Sequence, residues 1–323
     1  MNKKFYFLLV LIFIIGSILF KIITLPPFVK HPKLIEIPEN SNALQIANIL
    51  KKENIIKSID WFIFWTNYYK VQNKLQAGIY EFKGRTPLKK VIEKLVKGQI
   101  SLISITVPEG STCTEIGKIL ERKKIVSCEE FEKYAKTKKL EGYLFPDTYF
   151  FPLNVSMETV INMMYANFKQ KMKEIYGEEE FLKKKPNEIK KIITIASIIE
   201  KEANVDSERP IVASVIYNRL RKNLPLQSCA TVEYALGYHK PKLYDKDLKI
   251  KSPYNTYIYK GLPPTPICNP GKKSIEAAIY PAKTNYLYFV SKGDGTNYFS
   301  STSKEHLEAK EKYQINTSNI SPH

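Results

Sequence analysis

Two carboxylates near the middle of the chain are the residues most suggestive of chemistry. Glu200 and Glu202 lie within residues 192–203, a stretch of mostly aliphatic side chains that predicts a helix. A carboxylate there is notable because removing an unpaired charge from water is costly. On a helical wheel, Glu200 falls between Ile193 and Ala196 at one margin of the apolar arc. Glu202 falls at the other margin, so the two carboxylates are expected to face different surroundings.

Glu200 is the stronger candidate for a general acid. Partial burial among aliphatic groups would raise its pKa toward the range that proton donation needs near neutral pH. The alternative is an ion pair, for instance with Arg209 or Arg219, and spacing alone favours that alternative. Glu202 is expected to pair with a Lys or Arg.

Other familiar chemistries lack support in this sequence. It has no H-E-x-x-H, G-x-S-x-G or P-loop pattern, and no C-x-x-C pair. The four histidines and four cysteines do not have metal-ligand spacing; they are His31, His239, His306, His323, Cys113, Cys128, Cys229 and Cys268. We therefore expect no metal and no other cofactor.

The loop over residues 252–271 is rich in tyrosine, amide and proline residues. Aromatic faces stack on the C–H sides of a pyranose, amides reach its hydroxyls, and prolines fix the geometry beforehand. The pattern favours a sugar-binding surface. The alternative is a loop that simply packs against the core.

An internal repeat organises the region before these residues. Residues 37–55 align with 107–125 at an offset of 70, with seven identities. In each copy a strand leads into Pro-Glu, and Ser41 or Ser111 is expected to cap a helix. A second short helix and a strand follow, an order found in small glycan-binding modules, although a mere packing unit remains the alternative.

Further elements are predicted from periodicity and capping signals. Helices are expected over 157–176, 186–203, about 210–221 and up to 278, and a last helix starts at a capping box of Thr302 and Glu305. A hairpin is expected from strands at 286–290 and 297–300.

The N-terminus predicts a membrane anchor. Residues 5–20 carry no charged side chain, and with residues up to 25 the stretch reaches the length of a bilayer core. Lys3 and Lys4 place residues 1–4 in the cytoplasm and the rest outside it. A cleaved signal peptide is the alternative.

The net charge of +18 suits nucleic acid, anionic lipid, an anionic wall polymer or merely solvated faces, and does not choose among them.

Several motifs resemble those of the endolytic murein transglycosylases, the YceG-like family. The resemblance rests on residues 107–110, 141–149, 195–202, 215–220, 225–228, 252–257, 261–264 and 286–290, in the family's order. It implies an α+β fold: an N-terminal transmembrane helix at 5–25, a small LysM-like α+β unit at 33–98, a larger catalytic region at 104–313 and a tail at 314–323.

The resemblance also implies a reaction. Glu200 would protonate the oxygen between MurNAc and GlcNAc and then take the proton of the MurNAc C6 hydroxyl, closing a 1,6-anhydro ring without water. One carboxylate could then suffice, whereas a glycoside hydrolase normally needs two. The residues implied to line the glycan cleft are Gln227, Ser228, Tyr254, Asn255 and Tyr257.

Two departures from the family's pattern lie in this cleft. Cys229 and Ala230 stand where Asp-Pro is usual, and Thr265 stands where Gly is usual. Because Cys229 and Cys268 both fall in presumed cleft loops, we expect a disulfide between them that replaces the lost rigidity.

The partners implied are peptidoglycan glycan strands, the cell membrane and peptidoglycan synthases, but not nucleic acid. The expected location is the inner membrane, with a single span and a periplasmic catalytic region. Two rival functions remain open: a peptidoglycan-binding protein without activity, and a basic DNA-binding surface protein, for which no recognised nucleic-acid module is present.

Overall fold

A computed structural model describes residues 26–240 and 243–317 of the chain. The predicted anchor at 5–25 and the tip at 1–4 lie outside these residues. Within the described part, no helix is both long and apolar enough to cross a bilayer. The described chain combines helices with small two-stranded sheets, so the α+β class is confirmed.

The described helices and strands have the following bounds. The helices are α1 (Ala43–Lys52), α2 (Ile59–Tyr68), α3 (Leu88–Val96), α4 (Cys113–Arg122), α5 (Cys128–Lys138), α6 (Met157–Tyr176), α7 (Glu178–Lys183), α8 (Pro186–Glu202), α9 (Arg209–Arg221), α10 (Cys229–Leu236), α11 (Asp245–Leu248), α12 (Lys272–Ile279) and α13 (Ser303–Thr317). The strands are β1 (Phe28–Ile37), β2 (Gly78–Arg85), β3 (Leu102–Thr106), β4 (Thr148–Pro152), β5 (Tyr288–Ser291) and β6 (Asn297–Ser300).

Two compact units divide the described chain: residues 26–104 with 150–154, and residues 105–149 with 155–317. In the first unit β1 pairs antiparallel with β2, with Ile35 opposite Tyr80 and Ile37 opposite Gly78. Alternate β1 residues point inward, and α1 and α3 supply further buried side chains such as Leu50. The limits predicted for the LysM-like unit and the catalytic region stay predictions.

The predicted repeat is confirmed in the order of its elements, but the last strand of the second copy is β4 and not the Gly-aromatic stretch at 142–145 that predicts it in the sequence. The order strand-helix-helix-strand occurs as β1-α1-α2-β2 and again as β3-α4-α5-β4, with β1 paired to β2 and β3 to β4. The predicted helix caps are wrong by one residue, because Asn42 and Thr112 are the N-caps. Ser41 and Ser111 instead donate from Oγ to the carbonyls of Pro38 and Pro108, each at 2.7 Å, which closes the turn before the helix.

In the second unit α8 is the central helix. Seven successive residues from Ile193 to Ile199 are buried, as expected of a helix that is apolar over most of its circumference. Helices α9, α10 and α12 pack against it. The helix predicted over 157–176 has the predicted bounds, whereas α10 and α11 were not predicted. The hairpin of β5 and β6 is present, and α13 continues to Thr317, beyond the predicted start of the tail.

Candidate active site

Glu200 and Glu202, both on the last turn of α8, have different partners. Glu200 is the more tightly held, with a side chain that is 7% exposed. Its Oε1 accepts from Nη1 of Arg209 at 3.1 Å, and its Oε2 accepts from the backbone N–H of Gly271 at 2.8 Å. The prediction that Glu200 is an unpaired carboxyl among aliphatic groups is therefore wrong, and the alternative of an ion pair with Arg209 is observed.

More charges surround the Glu200 ion pair. Nε of Arg209 donates to Asp206 at 2.9 Å, and its Nη1 also donates to Ser274. The carboxyl of Glu109 lies so close to Gly271 that a Cβ there would fall 2.0 Å from Oε1 of Glu109. Partial burial, followed by the negative charge of Glu200, raises the pKa of Glu109. This side of α8 is a polar cluster in which both oxygens of Glu200 already accept hydrogen bonds.

Glu202 has no such cation. Its Oε1 accepts from Oγ of Ser228 at 2.5 Å, and the backbone N–H of Ala230 also donates to this carboxylate. Among the described residues no Lys or Arg forms an ion pair with it, so the predicted pairing with a cation is wrong. Burial raises the pKa of Glu202, and the bonds from Ser228 and Ala230 oppose that rise in part.

Glu202 lines a cavity of about 680 Å³, whereas Glu200 does not. The volume lies within the range typical of ligand sites. The walls come from α8, α9, α10, β5, α13 and the loops between them; their polar members are Glu202, Arg219, Gln227, Ser228, Glu233, His239, Lys240, Tyr257, Tyr288, Ser303, His306 and Lys310. Lys240 already pairs with Asp247 at 2.6 Å, which leaves Arg219 and Lys310 as the cations of this wall that could meet a ligand.

Hydrogen bonds to Thr256 fix the segment that carries Ser228. The N–H of Gln227 donates to the carbonyl of Thr256 at 3.0 Å, and the N–H of Ser228 donates to its Oγ1 at 3.0 Å. Thr231 bridges the same groups, since its Oγ1 lies 2.8 Å from both the Ser228 carbonyl and Oγ1 of Thr256. Gln227 has a φ of 52°, an uncommon backbone conformation that these contacts hold in place.

Three of the five predicted cleft residues reach this cavity: Gln227, Ser228 and Tyr257 line it. Asn255 does not, because it is fully buried and its side chain organises the loop. Its Nδ2 donates to the carbonyls of Leu248 and Ile250, and its Oδ1 accepts from the N–H of Tyr257 at 3.0 Å. Asn255 thus positions Tyr257.

Tyr254 is also outside the cavity. Its ring lies 4.8 Å from that of Tyr234, and its hydroxyl is 2.7 Å from Oγ1 of Thr265. Thr265, the residue at one departure from the family's pattern, therefore holds a tyrosine of the neighbouring loop. For both Tyr254 and Asn255, the structure shows packing and loop-ordering contacts.

The predicted disulfide is wrong, since Cys229 and Cys268 are both free. The Sγ of Cys229 lies 3.2 Å from the hydroxyl of Tyr257, while the Sγ of Cys268 is buried and donates to the carbonyl of Ser197 at 3.3 Å. Cys113 and Cys128 are free as well. Rigidity at this loop comes from hydrogen bonds to Thr256 and Asn255 rather than from a covalent link.

Sequence reasoning missed Arg219 and its neighbours in the cavity wall. The guanidinium of Arg219 lies 5.2 Å from the ring centre of Tyr288, which stacks on His306 at 5.0 Å. Nη2 of Arg219 donates to Oε1 of Gln227 at 2.5 Å and so orients the amide. In the sequence, Arg219 stands within a family motif at 215–220, but the motif does not indicate where its side chain points.

Glu141 is a further buried carboxyl outside this cavity. It accepts from the N–H of Cys113 at 3.0 Å, from the hydroxyl of Tyr234 at 3.1 Å and from Nδ2 of Asn269 at 3.3 Å. Burial raises its pKa to about 7 in spite of hydrogen bonds that lower it. Over the described residues, no three His, Cys, Asp or Glu side chains are grouped as metal ligands would be.

The chain matches a known family over most of its length: residues 35–312 fit the YceG-like family. A Bacillus subtilis (strain 168) protein named endolytic murein transglycosylase is 38% identical over 327 residues, covering 92% of this chain and 90% of that protein. A protein of the same name from Streptococcus pneumoniae (serotype 2, strain D39) is 30% identical over 313 residues. That alignment covers 84% of this chain but 56% of the longer streptococcal protein.

A solved structure agrees with these relatives. The crystal structure of a yceG-like protein from Listeria monocytogenes is 34% identical in sequence and superposes with a TM-score of 0.55. The match covers 87% of this chain and 99% of that one.

Proposed function

Because the chain belongs to the YceG-like family, we propose that it is an endolytic lytic transglycosylase of peptidoglycan. It cleaves the bond between MurNAc and GlcNAc inside glycan strands and leaves 1,6-anhydro-MurNAc ends. The observation that carries the mechanism is the placement of Glu202, a carboxyl with a raised pKa, in the wall of the large cavity.

Glu202 is the acid and then the base in this mechanism. In its neutral form it donates its proton to the glycosidic oxygen as the bond to MurNAc C1 breaks. The resulting carboxylate takes the proton of the C6 hydroxyl while that oxygen bonds to C1. Glu202 thus gives up one proton and regains one, so it returns to its neutral form, and no water is consumed. The raised pKa suits the first step, and the bonds from Ser228 and Ala230 stabilise the carboxylate between the steps.

The geometry favours Glu202 over Glu200 for this role. Both oxygens of Glu200 already accept hydrogen bonds, one from the guanidinium of Arg209 and one from the N–H of Gly271, so both are engaged within the protein. Glu200 also does not line the cavity. The assignment of the acid to Glu200 by motif resemblance stays a prediction, and we propose Glu202 in its place.

The cavity wall fits a strand that carries peptide stems. Peptide carboxylates would meet Arg219 and Lys310, while the ring of Tyr257 offers an apolar face to a sugar. Gln227, oriented by Arg219, can bond to an N-acetyl group. Tyr254 and Asn255 support this wall from behind rather than by contact with the glycan.

The location and the first unit belong to the same proposal. Residues 5–25 anchor the chain as a single span of the cell membrane, with the N-terminus in the cytoplasm and the catalytic region outside. The duplicated unit that starts with β1 acts as a LysM-like glycan-binding module. Work beside peptidoglycan synthases, terminating or trimming nascent strands, would follow from that position.

Digestion of purified sacculi by the full-length protein in detergent tests the proposal. Mass analysis of the soluble products should show muropeptides with anhydro-MurNAc ends, lighter by one water than reducing ends. Products with ordinary reducing ends would instead identify a hydrolase. Sedimentation of the protein with sacculi without any soluble product would favour the binding protein without activity.

A further inference from the structure

The outer side of α2 carries five aromatic side chains, which we call the aromatic face: Trp61, Phe64, Trp65, Tyr68 and Tyr69. Four of them are well exposed, with exposed fractions of 50% for Trp61, 52% for Phe64, 67% for Tyr68 and 40% for Tyr69. The opposite side of the helix buries Phe62 and Thr66. Exposed aromatic side chains grouped on one side of a helix commonly mark an interaction surface, so the aromatic face is expected to have a partner.

The rings form a continuous row along the helix. Ring centres are 5.6 Å apart for Trp61 and Phe64, 5.3 Å for Phe64 and Trp65, and 5.4 Å for Trp65 and Tyr69. Tyr68 stacks on Phe64 at 6.3 Å. Because each ring restrains its neighbours, the face is largely ordered before any partner binds, which lowers the entropic cost of binding.

The start of the described chain lies against this face. Pro26 and Pro27 line an apolar cavity of about 340 Å³ together with Trp61 and Trp65. Nη1 of Arg85 donates to the carbonyl of Pro26 at 2.9 Å, which holds this residue in place. Pro26 directly follows the predicted span at 5–25, and one residue spans at most about 3.6 Å. The predicted span is therefore joined in sequence directly to a residue of this cavity.

From this arrangement we propose that the aromatic face rests in the interfacial layer of the lipid bilayer, next to the anchor. The proposal depends on the membrane anchor put forward above, but not on glycan cleavage. Trp and Tyr rings concentrate at the depth of the headgroups, where one edge is apolar and the other is hydrated. Phe28, two residues after Pro26, is 63% exposed, and the guanidinium of Arg85 lies 5.7 Å from its ring centre, so an apolar side chain and a cation that could meet a lipid phosphate stand beside the tether.

A lipid layer fits this surface better than a sugar. The cavity beside Trp61 and Trp65 has few side chains that could hydrogen-bond: Lys57, Ser58 and Thr86. A glycan subsite needs polar groups matched to several hydroxyls around each ring. Bilayer insertion needs only apolar area, aromatic edges and nearby positive charge. In addition, the tether at Pro26 brings this surface to the membrane at high effective concentration.

Intrinsic fluorescence tests the proposal without substitution, because the chain has two Trp residues, Trp61 and Trp65, both in the aromatic face. The full-length protein is reconstituted into phosphatidylcholine and phosphatidylglycerol vesicles that contain lipids brominated at defined depths. We expect blue-shifted emission, severalfold stronger quenching by bromines near the headgroup than at the bilayer centre, and protection from aqueous acrylamide.

Variants and rival outcomes sharpen the test. Phe64→Ser with Tyr68→Ser should lower the quenching by lipid severalfold, whereas Tyr238→Ser with Tyr280→Ser, at exposed sites of the second unit, should leave it unchanged. Unquenched Trp emission in protein that resists carbonate extraction would overturn the proposal. If soluble glycan strands protect the Trp residues from acrylamide, the surface is a sugar site and the proposal is overturned. If the Trp residues are protected from acrylamide but not quenched by the lipids, the surface binds a protein partner and the proposal is also overturned. Release by carbonate would overturn the anchor and this proposal together, while sacculus digestion tests the activity separately.

Discussion

The two sides of the last turn of α8 each carry a carboxyl group, but the two groups have different hydrogen-bond partners. On one side Glu200 is held by Arg209 and the N–H of Gly271, and the cluster extends to Asp206 and Glu109. On the other side Glu202 has a hydroxyl and one N–H as donors and faces a cavity of about 680 Å³. Burial is common to both carboxylates. The difference lies in the donors, which are a guanidinium and an N–H for Glu200 and a hydroxyl and an N–H for Glu202, and in the cavity that Glu202 alone of the two lines.

The comparison predicts a large loss of activity from one substitution. Glu202→Gln removes the transferable proton with little change in shape, so cleavage should fall by about 10²–10⁴. Glu200→Gln should cost much less activity, because that side chain holds Arg209 and the loop at Gly271 and does not line the cavity. The measurement is the release rate of anhydro-ended muropeptides well below the unfolding temperature of either variant. Equal losses would remove the distinction between the two sides.

Stability should show the reverse pattern. Arg209→Met leaves Glu200 buried without a cation, which should lower the free energy of unfolding by about 3–5 kcal/mol. The double variant Arg209→Met with Glu200→Gln should recover much of that loss, because it removes the stranded charge. Glu202→Gln should be neutral or slightly stabilising. Denaturant unfolding of the four proteins measures these differences, and a loss below about 1 kcal/mol for Arg209→Met would contradict the structural role.

A third carboxyl extends the comparison to pH. The pKa of Glu141 is raised from 4.5 to about 7, so its ionisation is more costly in the folded protein. The contribution of Glu141 to the free energy of unfolding is fully present below the pKa that this group has in the unfolded chain. It is lost as pH rises through about 7, and the loss is at most about 3 kcal/mol. Unfolding at pH 5 and pH 8 should show this loss in the wild type but not in Glu141→Gln. The exposed substitution Glu311→Gln is the control and should behave as the wild type.

The sequence was sufficient to locate the helix and the two candidate carboxylates. The mostly aliphatic stretch at 192–203, preceded by Pro186, predicts α8 from the sequence pattern alone. The wheel also separated Glu200 from Glu202 correctly. The helical wheel could not show which side of α8 faces the cavity. Arg209 and Ser228 come from other elements, and a wheel of one helix does not include how those elements pack against it. Choosing the proton donor from these two carboxyl groups required knowing which side chains hydrogen-bond to each of them.

The repeat shows the same limit. Both copies have a left-handed residue after Pro-Glu, Asn40 with a φ of 61° in the first and Gly110 with a φ of 76° in the second. Asn40 is exposed, whereas Gly110 is buried and donates to the carbonyl of Asn269 at 2.9 Å. A Cβ on Gly110 would lie 3.4 Å from Cγ of Glu200. Identical local geometry is thus predictable in both copies, but the long-range contact of the second copy is not.

The cleft loops were predicted least well. Asn255 and Tyr254 were assigned to the glycan cleft by the family resemblance, yet Asn255 satisfies carbonyls of its own loop and Tyr254 packs on Tyr234. The expected disulfide failed for a related reason, since Cys268 faces α8 while Cys229 faces Tyr257. Composition predicts that a loop is rich in polar groups but not which of them it uses internally.

The pH dependence of kcat/KM on soluble glycan strands tests most directly whether Glu202 is the proton donor. Activity in the wild type should fall as pH rises through the pKa of the acid. Ser228→Ala removes a hydrogen bond that favours the carboxylate, so it should move this fall to higher pH by about one unit, while Glu200→Gln should leave it in place. A fall that moves in Glu200→Gln and stays in Ser228→Ala would contradict the assignment of the acid to Glu202.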